Sequence, residues 1–269
     1  MLGPVLRYPG AKWSIADWII QHFTPHQVYL EPFFGSGAVF FNKRPSRVET
    51  INDIDGEIVN LFRVIRERPQ ELASLIEMTP WARDEYYMSF ERTGHPLEDA
   101  RRFLVRCWQA HGSDYATKPG WRHCIAGRDA SYSPVWAQLP QRIMEVTYRL
   151  KDAQIENQPA VKLIERYRNP DVLIYADPPY ILSTRARKRR YTYEMNDSEH
   201  IELLEVLNEH PGPVIVSGYS NQIYDKYLRH WVKESIKALA EKGRVKEEII
   251  WINPIAAEYN RQYSFLSGI

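Results

Sequence analysis

Short apolar runs at about 28–33, 48–53, 152–157, 171–176, 213–218, 231–237 and 245–252 predict strands. Between them, apolar residues at helical spacing fill about 13–23, 159–167, 197–209 and 220–229. Strands that alternate with helices predict a parallel α/β sheet. From about Gly56 to Leu150 the alternation stops. Helical patterns take over at about 56–68, 70–78, 81–92, 97–110 and 136–150, interrupted by a long loop from Gly112 to Pro134. A loop of that length inside a compact domain is usually functional or mobile. The expected organisation is one α/β domain built from 1–55 and 151–269, with 56–150 inserted into it as a helical subdomain.

Two motifs fall where open parallel sheets bind ligands, beyond the carboxyl ends of strands. Asp177-Pro178-Pro179-Tyr180 follows the apolar run Val172 to Ala176. Consecutive prolines stiffen this turn, because each fixes its own φ and the second restricts the first. Asp177 and the Pro178 carbonyl together accept both hydrogens of one exocyclic amine, and Tyr180 offers a face to the ring that carries it. The plainer alternative is a Pro-stiffened turn with an Asp cap. The second motif runs from Glu31 through Pro32, Phe33, Phe34, Gly35, Ser36 and Gly37 to Phe41, and reads as strand, glycine turn and helix. Gly35 and Gly37 let the backbone approach a ligand closely. Phe40 stands where a dinucleotide fingerprint needs its third glycine, which disfavours hydride-transfer cofactors and leaves a nucleoside-bearing ligand open. Asp53, at the end of the next strand, suits a ribose diol or caps the helix that starts near Asp55.

With these blocks the chain resembles the DNA adenine-N6 methyltransferases of the Dam type, particularly phage and prophage members. Arg7-Tyr8-Pro9-Gly10-Ala11-Lys12-Trp13 is similar to that family's Lys-Trp-x-Gly-Gly-Lys, the Glu31 to Gly37 block to its methyl-donor loop, and Asp177 to Tyr180 to its catalytic tetrad. The resemblance covers about residues 5–60 and 150–255. It implies a Rossmann-like SAM-dependent methyltransferase sheet, with the inserted subdomain reading DNA. S-adenosylmethionine (SAM) is the implied methyl donor, with no metal. Tyr8, Lys12, Glu31, Phe33, Gly35, Gly37, Asp53 and Asp177 fall at donor-contact positions. Gln158 stands near the place of an Asp that often binds the donor's adenine. Tyr8 replaces a more usual Trp, and Ala11 replaces a glycine, which requires a negative φ there. The implied reaction is methyl transfer to the N6 amine of an adenine flipped out of double-stranded DNA.

Composition fits this reading and narrows it. The net charge of +1 and a pI near 7.8 are mild for a nucleic-acid binder, so DNA contacts must be local. Arg101, Arg102 and Arg106 offer phosphate contacts or a solvated helix face, and Trp121 and Arg122 in the long loop combine an aromatic ring with a cation. Arg7, Arg187, Arg189 and Arg190 add cations beside the two motifs. Cys107 and Cys124 form no zinc or disulfide framework, and no signal peptide or long apolar span occurs, so a cytoplasmic setting in a bacterium or phage-infected host is expected. The resemblance admits a restriction endonuclease as a partner, and action on one strand at a time favours a monomer. An RNA adenine methyltransferase, a cytosine-N4 methyltransferase and a non-catalytic DNA-binding module are the competing readings.

Overall fold

The structure, a computed structural model, describes residues 2–111, 118–124, 133–181, 192–239 and 245–267. The chain opens with α1 (Ala16–Ile20), β1 (Val28–Glu31), α2 (Ala38–Asn42) and β2 (Val48–Asn52). Helices α3 (Gly56–Glu67), α4 (Pro69–Met78), α5 (Arg83–Met88), α6 (Pro96–Gln109), α7 (Ser133–Ala137) and α8 (Leu139–Leu150) follow. Alternation resumes with β3 (Gln154–Glu156), α9 (Ala160–Arg166), β4 (Val172–Ala176), α10 (Asp197–Asn208), β5 (Val214–Gly218) and α11 (Gln222–Tyr227). It closes with β6 (Val232–Leu239), β7 (Val245–Ile252) and α12 (Pro254–Ser267).

Among the described residues the strands form one sheet in the order β3-β2-β1-β4-β5-β7-β6. The first five in that order run parallel, and β7 is antiparallel to both β5 and β6. The order reverses between β1 and β4, so a crevice opens beyond their carboxyl ends. Strict alternation divides the side chains. Tyr29, Leu173, Tyr175, Ile215, Ile250 and Ile252 share a core with α1, α2, α3, α4, α6, α8 and α12. Leu30, Val172, Ile174, Val214, Val216, Ile249 and Trp251 pack against α9, α10 and α11 on the other face. Both faces are thus covered, as a parallel sheet requires. Helices α3, α4, α6, α7 and α8 of 56–150 belong to the first of these cores, which continues from the sheet without a break in the packing.

Several elements depart from the sequence pattern. The helix expected over 13–23 contracts to α1, because the preceding turn directs Lys12 toward the sheet edge. The pattern over 81–92 ends at Met88 and enters a turn in which Gly94 has φ +76°. The pattern over 136–150 splits at Gln138, where Pro140 sits in the first turn of α8, the part of a helix that tolerates a missing N–H. Helix α12 was not expected. Its signal is Asn253 before Pro254: the Asn253 Oδ1 accepts from Ala256 N at 3.0 Å and Val214 N at 3.1 Å, capping the helix and tying it to β5.

Candidate active site

The period of two along each strand assembles a polar cluster at the sheet edge. Glu31, Asp177 and Ser217 follow Tyr29, Tyr175 and Ile215 by two residues on the same face, and Glu248 precedes Ile250 by two on the antiparallel β7. Extending the register of Ala176 with Val216 by one residue sets Asp177 beside Ser217, whose hydroxyl donates to it at 2.8 Å. Extending that of Gly218 with Ile249 sets Tyr219 beside Glu248, to which the Tyr219 hydroxyl donates at 2.6 Å. Lys12 joins the two pairs. Its buried Nζ donates to Asp177 at 2.9 Å, to the Gly10 carbonyl at 2.9 Å and to the Tyr180 hydroxyl at 2.5 Å, and lies 3.9 Å from Glu248. All three ammonium protons are therefore committed. Burial opposes the Lys12 charge, but Asp177, Glu248 and Tyr175 outweigh it and raise its pKa, so the ammonium is a fixed charge at the site. The Tyr180 ring packs on Tyr219, with centroids 4.4 Å apart, and its hydroxyl lies 3.4 Å from Glu248.

Next to this cluster lies a cleft of about 490 Å³. Tyr8, Lys12, Glu31, Phe33, Gly35, Asp53, Asp177 and Pro179 all line it. The glycine turn that forms one wall depends on two positive φ angles, +50° at Gly35 and +68° at Gly37. Asp53 straps that turn to β2, accepting from Gly35 N and Asp55 N at 2.9 Å each. Asp55 takes the cap of α3, accepting from Glu57 N at 2.9 Å. Ala11 has no positive φ, as its replacement of glycine requires. Two carboxyls facing the cleft are unusually basic. Burial pushes Asp53 up to about 7, against hydrogen bonds from Asp55 and Gly35. Burial pushes Glu31 up to about 8, opposed by the Tyr29 hydroxyl at 2.6 Å and reinforced by Asp177.

Other residues singled out from sequence fall elsewhere. Gly37, Pro178, Tyr180 and Gln158 do not line the cleft, and the Gln158 amide donates to Glu156 at 2.9 Å. Arg7 is half-buried in the loop before Tyr8. Trp121 bridges to Ala110, donates to the Gln109 side chain at 3.1 Å, has the Arg83 guanidinium over its ring at 5.0 Å and stacks with His123 at 5.7 Å. Arg122 is only 7% exposed, so a groove contact by its guanidinium requires neighbouring chain to move. Arg187, Arg189 and Arg190 lie outside the described residues. Arg101 and Arg102 are held by Glu98, with Glu85 also on Arg101, and Arg106 by Glu57. Those acids lie before residue 101, which is why the stretch looked uncompensated. Trp108 is core, donating to the Val5 carbonyl at 2.8 Å. Glu248 was not foreseen; its signal was an acid at an inward position two residues before Ile250.

A crevice at the reversal of strand order, walled by a strapped glycine turn and lined by buried carboxyls, fits S-adenosylmethionine. Its cations would offset the burial cost that raises the Glu31 and Asp53 carboxyls, and positive φ at Gly35 keeps a side chain from filling the cradle. Sheet and site together define a Rossmann-like SAM-dependent methyltransferase. The chain belongs to the family described as D12 class N6 adenine-specific DNA methyltransferase, whose profile matches residues 8–246. It is similar to the Type II methyltransferase M1.LlaDCHI of Lactococcus lactis subsp. cremoris, 27% identical over 72% of this chain and 71% of the relative. The DNA adenine methylase of Escherichia coli K12 is 23% identical over 91% of each chain. A solved rRNA methyltransferase, aviRa from Streptomyces viridochromogenes, matches 97% of this chain and 93% of its own with a TM-score of 0.43 and 14% identity. The protein is accordingly an adenine-specific DNA methyltransferase. Among the described residues no helix is long and apolar enough to cross a membrane.

Proposed function

We propose that Asp177, the Pro178 carbonyl and Tyr180 receive the N6 amine of an adenine turned out of the duplex, beside a methyl donor held in the cleft. The observation that carries this reading is the position of Asp177, which lines the cleft and also belongs to the Lys12, Ser217 and Tyr180 cluster. Tyr8, Phe33 and the Gly35 turn give S-adenosylmethionine apolar and backbone surface, Glu31 and Asp53 meet its polar and cationic groups, and Lys12 and Asp177 border its reactive end. Gly37 shapes the turn, and Gln158 stands at the rim. When bound, the donor supplies a methyl group on a sulfonium sulfur, an electrophile that needs no metal.

Turning the adenine out costs roughly a few kcal/mol, which Tyr180 partly offsets by stacking. The amine's lone pair is delocalised into the ring. Hydrogen bonds from the amine to Asp177 and the Pro178 carbonyl favour a tetrahedral nitrogen as positive charge develops on it. Holding that nitrogen in line with the methyl group supplies much of the acceleration. Lys12 and Ser217 already donate to Asp177, so the arriving amine competes with them for the carboxylate's acceptor sites.

In this reading the helices of 56–150 present DNA with the Arg83, Trp121 and His123 stack, assisted by Arg7, Arg122 and the segment carrying Arg187, Arg189 and Arg190. In this reading the enzyme acts on one strand at a time as a cytoplasmic monomer. The test is Asp177→Ala. It is expected to keep DNA binding and lose methyl incorporation; full activity in this variant sinks the assignment.

A further inference from the structure

Lys12 poses a problem for the proposed chemistry. Its ammonium is 4% exposed and makes its close ion pair with Asp177, the group the amine must reach. An amine that draws the Asp177 carboxylate toward itself weakens this pair, and a buried charge that loses compensation is strongly unfavourable. A second carboxylate stands ready. Glu248 Oε2 is 3.9 Å from Lys12 Nζ, against 2.9 Å for Asp177, and its Oε1 is fixed by the Tyr219 hydroxyl at 2.6 Å. Tyr180 lies between them, accepting from Lys12 and approaching Glu248 to 3.4 Å. At 3.9 Å Glu248 is already within ion-pair reach of Lys12, and it does not itself line the cleft.

We propose that Glu248 is a positioning residue for methyl transfer: it takes over the Lys12 ammonium when the target amine claims Asp177. The inference rests on Asp177 being the amine's acceptor. It assigns Glu248 a role through its charge, not its shape, and that distinction can be measured. Glu248→Gln keeps the shape and an acceptor for Tyr219 but removes the charge. Glu248→Asp keeps the charge on a shorter chain.

Steady-state methylation of DNA is compared for the wild type and both variants, with rates expressed per donor-binding site counted by calorimetry. Glu248→Gln is expected to lower kcat by at least about tenfold, a factor equivalent to about 1.4 kcal/mol. The KM for DNA and the Kd for S-adenosylmethionine should stay close to the wild-type values, and Glu248→Asp should retain clearly more kcat than Glu248→Gln. A Gln variant as active as wild type, or more active than the Asp variant, overturns the proposal, as does loss of donor binding in the Gln variant. If the wild type forms no N6-methyladenine at all, the reading of Asp177 fails first. A wild type that is active beside an equally active Gln variant removes Glu248 alone.

Discussion

Gly37→Ala tests whether the glycine turn is built as the structure shows. Gly37 has φ +68°, and a Cβ added there meets Phe34 Cζ at 2.4 Å and Phe41 Cε2 at 2.7 Å. The left-handed backbone costs an alanine about 1–2 kcal/mol. Forcing two packed rings apart adds about 1–3 kcal/mol. Together these give about 2–5 kcal/mol, which for a chain of this size lowers Tm by about 4–20 °C. Gly94→Ala is the matched control. Its φ is +76° with nothing within 4 Å of the added Cβ, so only the backbone cost applies, about 2–8 °C. Thermal unfolding of both variants isolates the packing contribution, and calorimetric titration with S-adenosylmethionine should show weaker binding for Gly37→Ala alone. Equal losses of Tm in the two variants would refute the closure of Phe34 and Phe41 over the turn.

Burial lifts Glu31 from 4.5 to about 8, so the folded chain keeps a proton that the unfolded chain releases above pH 4.5. Its contribution to stability is full below 4.5, is lost as pH rises to about 8 and is level beyond; Glu31→Gln should remove that slope in pH-dependent unfolding. A cationic donor favours the ionised carboxyl, so wild-type donor affinity should strengthen across the same window, by at most about tenfold per pH unit for one proton, with proton release visible by calorimetry in buffers of different ionisation enthalpy. An affinity that is flat with pH, and identical in Glu31→Gln, would separate Glu31 from the donor. Trp121→Ala should weaken DNA binding by about 1–3 kcal/mol through lost base stacking while leaving donor affinity intact; unchanged DNA affinity in a filter or fluorescence assay removes that loop from the interface.

What the sequence disclosed follows from where burial is two-sided. Strands such as Val172–Ala176 and Val214–Gly218 are covered on both faces, so they read as continuous apolar runs. Asp177 and the Gly35 turn were legible because each interrupts such a run at its carboxyl end. Tertiary pairing hid the rest. Arg101, Arg102 and Arg106 looked like a basic face because Glu57, Glu85 and Glu98 reach them from earlier in the chain, and Arg101, with Arg102, helps hold Glu98 down at about 2. Glu248 sits in a charged stretch that reads as solvated, and only its parity with Ile250 and Ile252 places it inward. Lys12 was legible as a cation near the donor, but its bonds to Asp177 and Tyr180, 165 and 168 residues away, are products of the fold.

The most direct measurement is the identity of the methylated nucleoside. Wild type and Asp177→Ala are incubated with labelled S-adenosylmethionine and unmethylated mixed-sequence DNA, the DNA is digested, and the nucleosides are identified by mass spectrometry. N6-methyladenine from the wild type and none from Asp177→Ala is the predicted result. Label on cytosine N4, or N6-methyladenine formed undiminished without the Asp177 carboxylate, would contradict the assignment of Asp177 as the acceptor of the adenine amine.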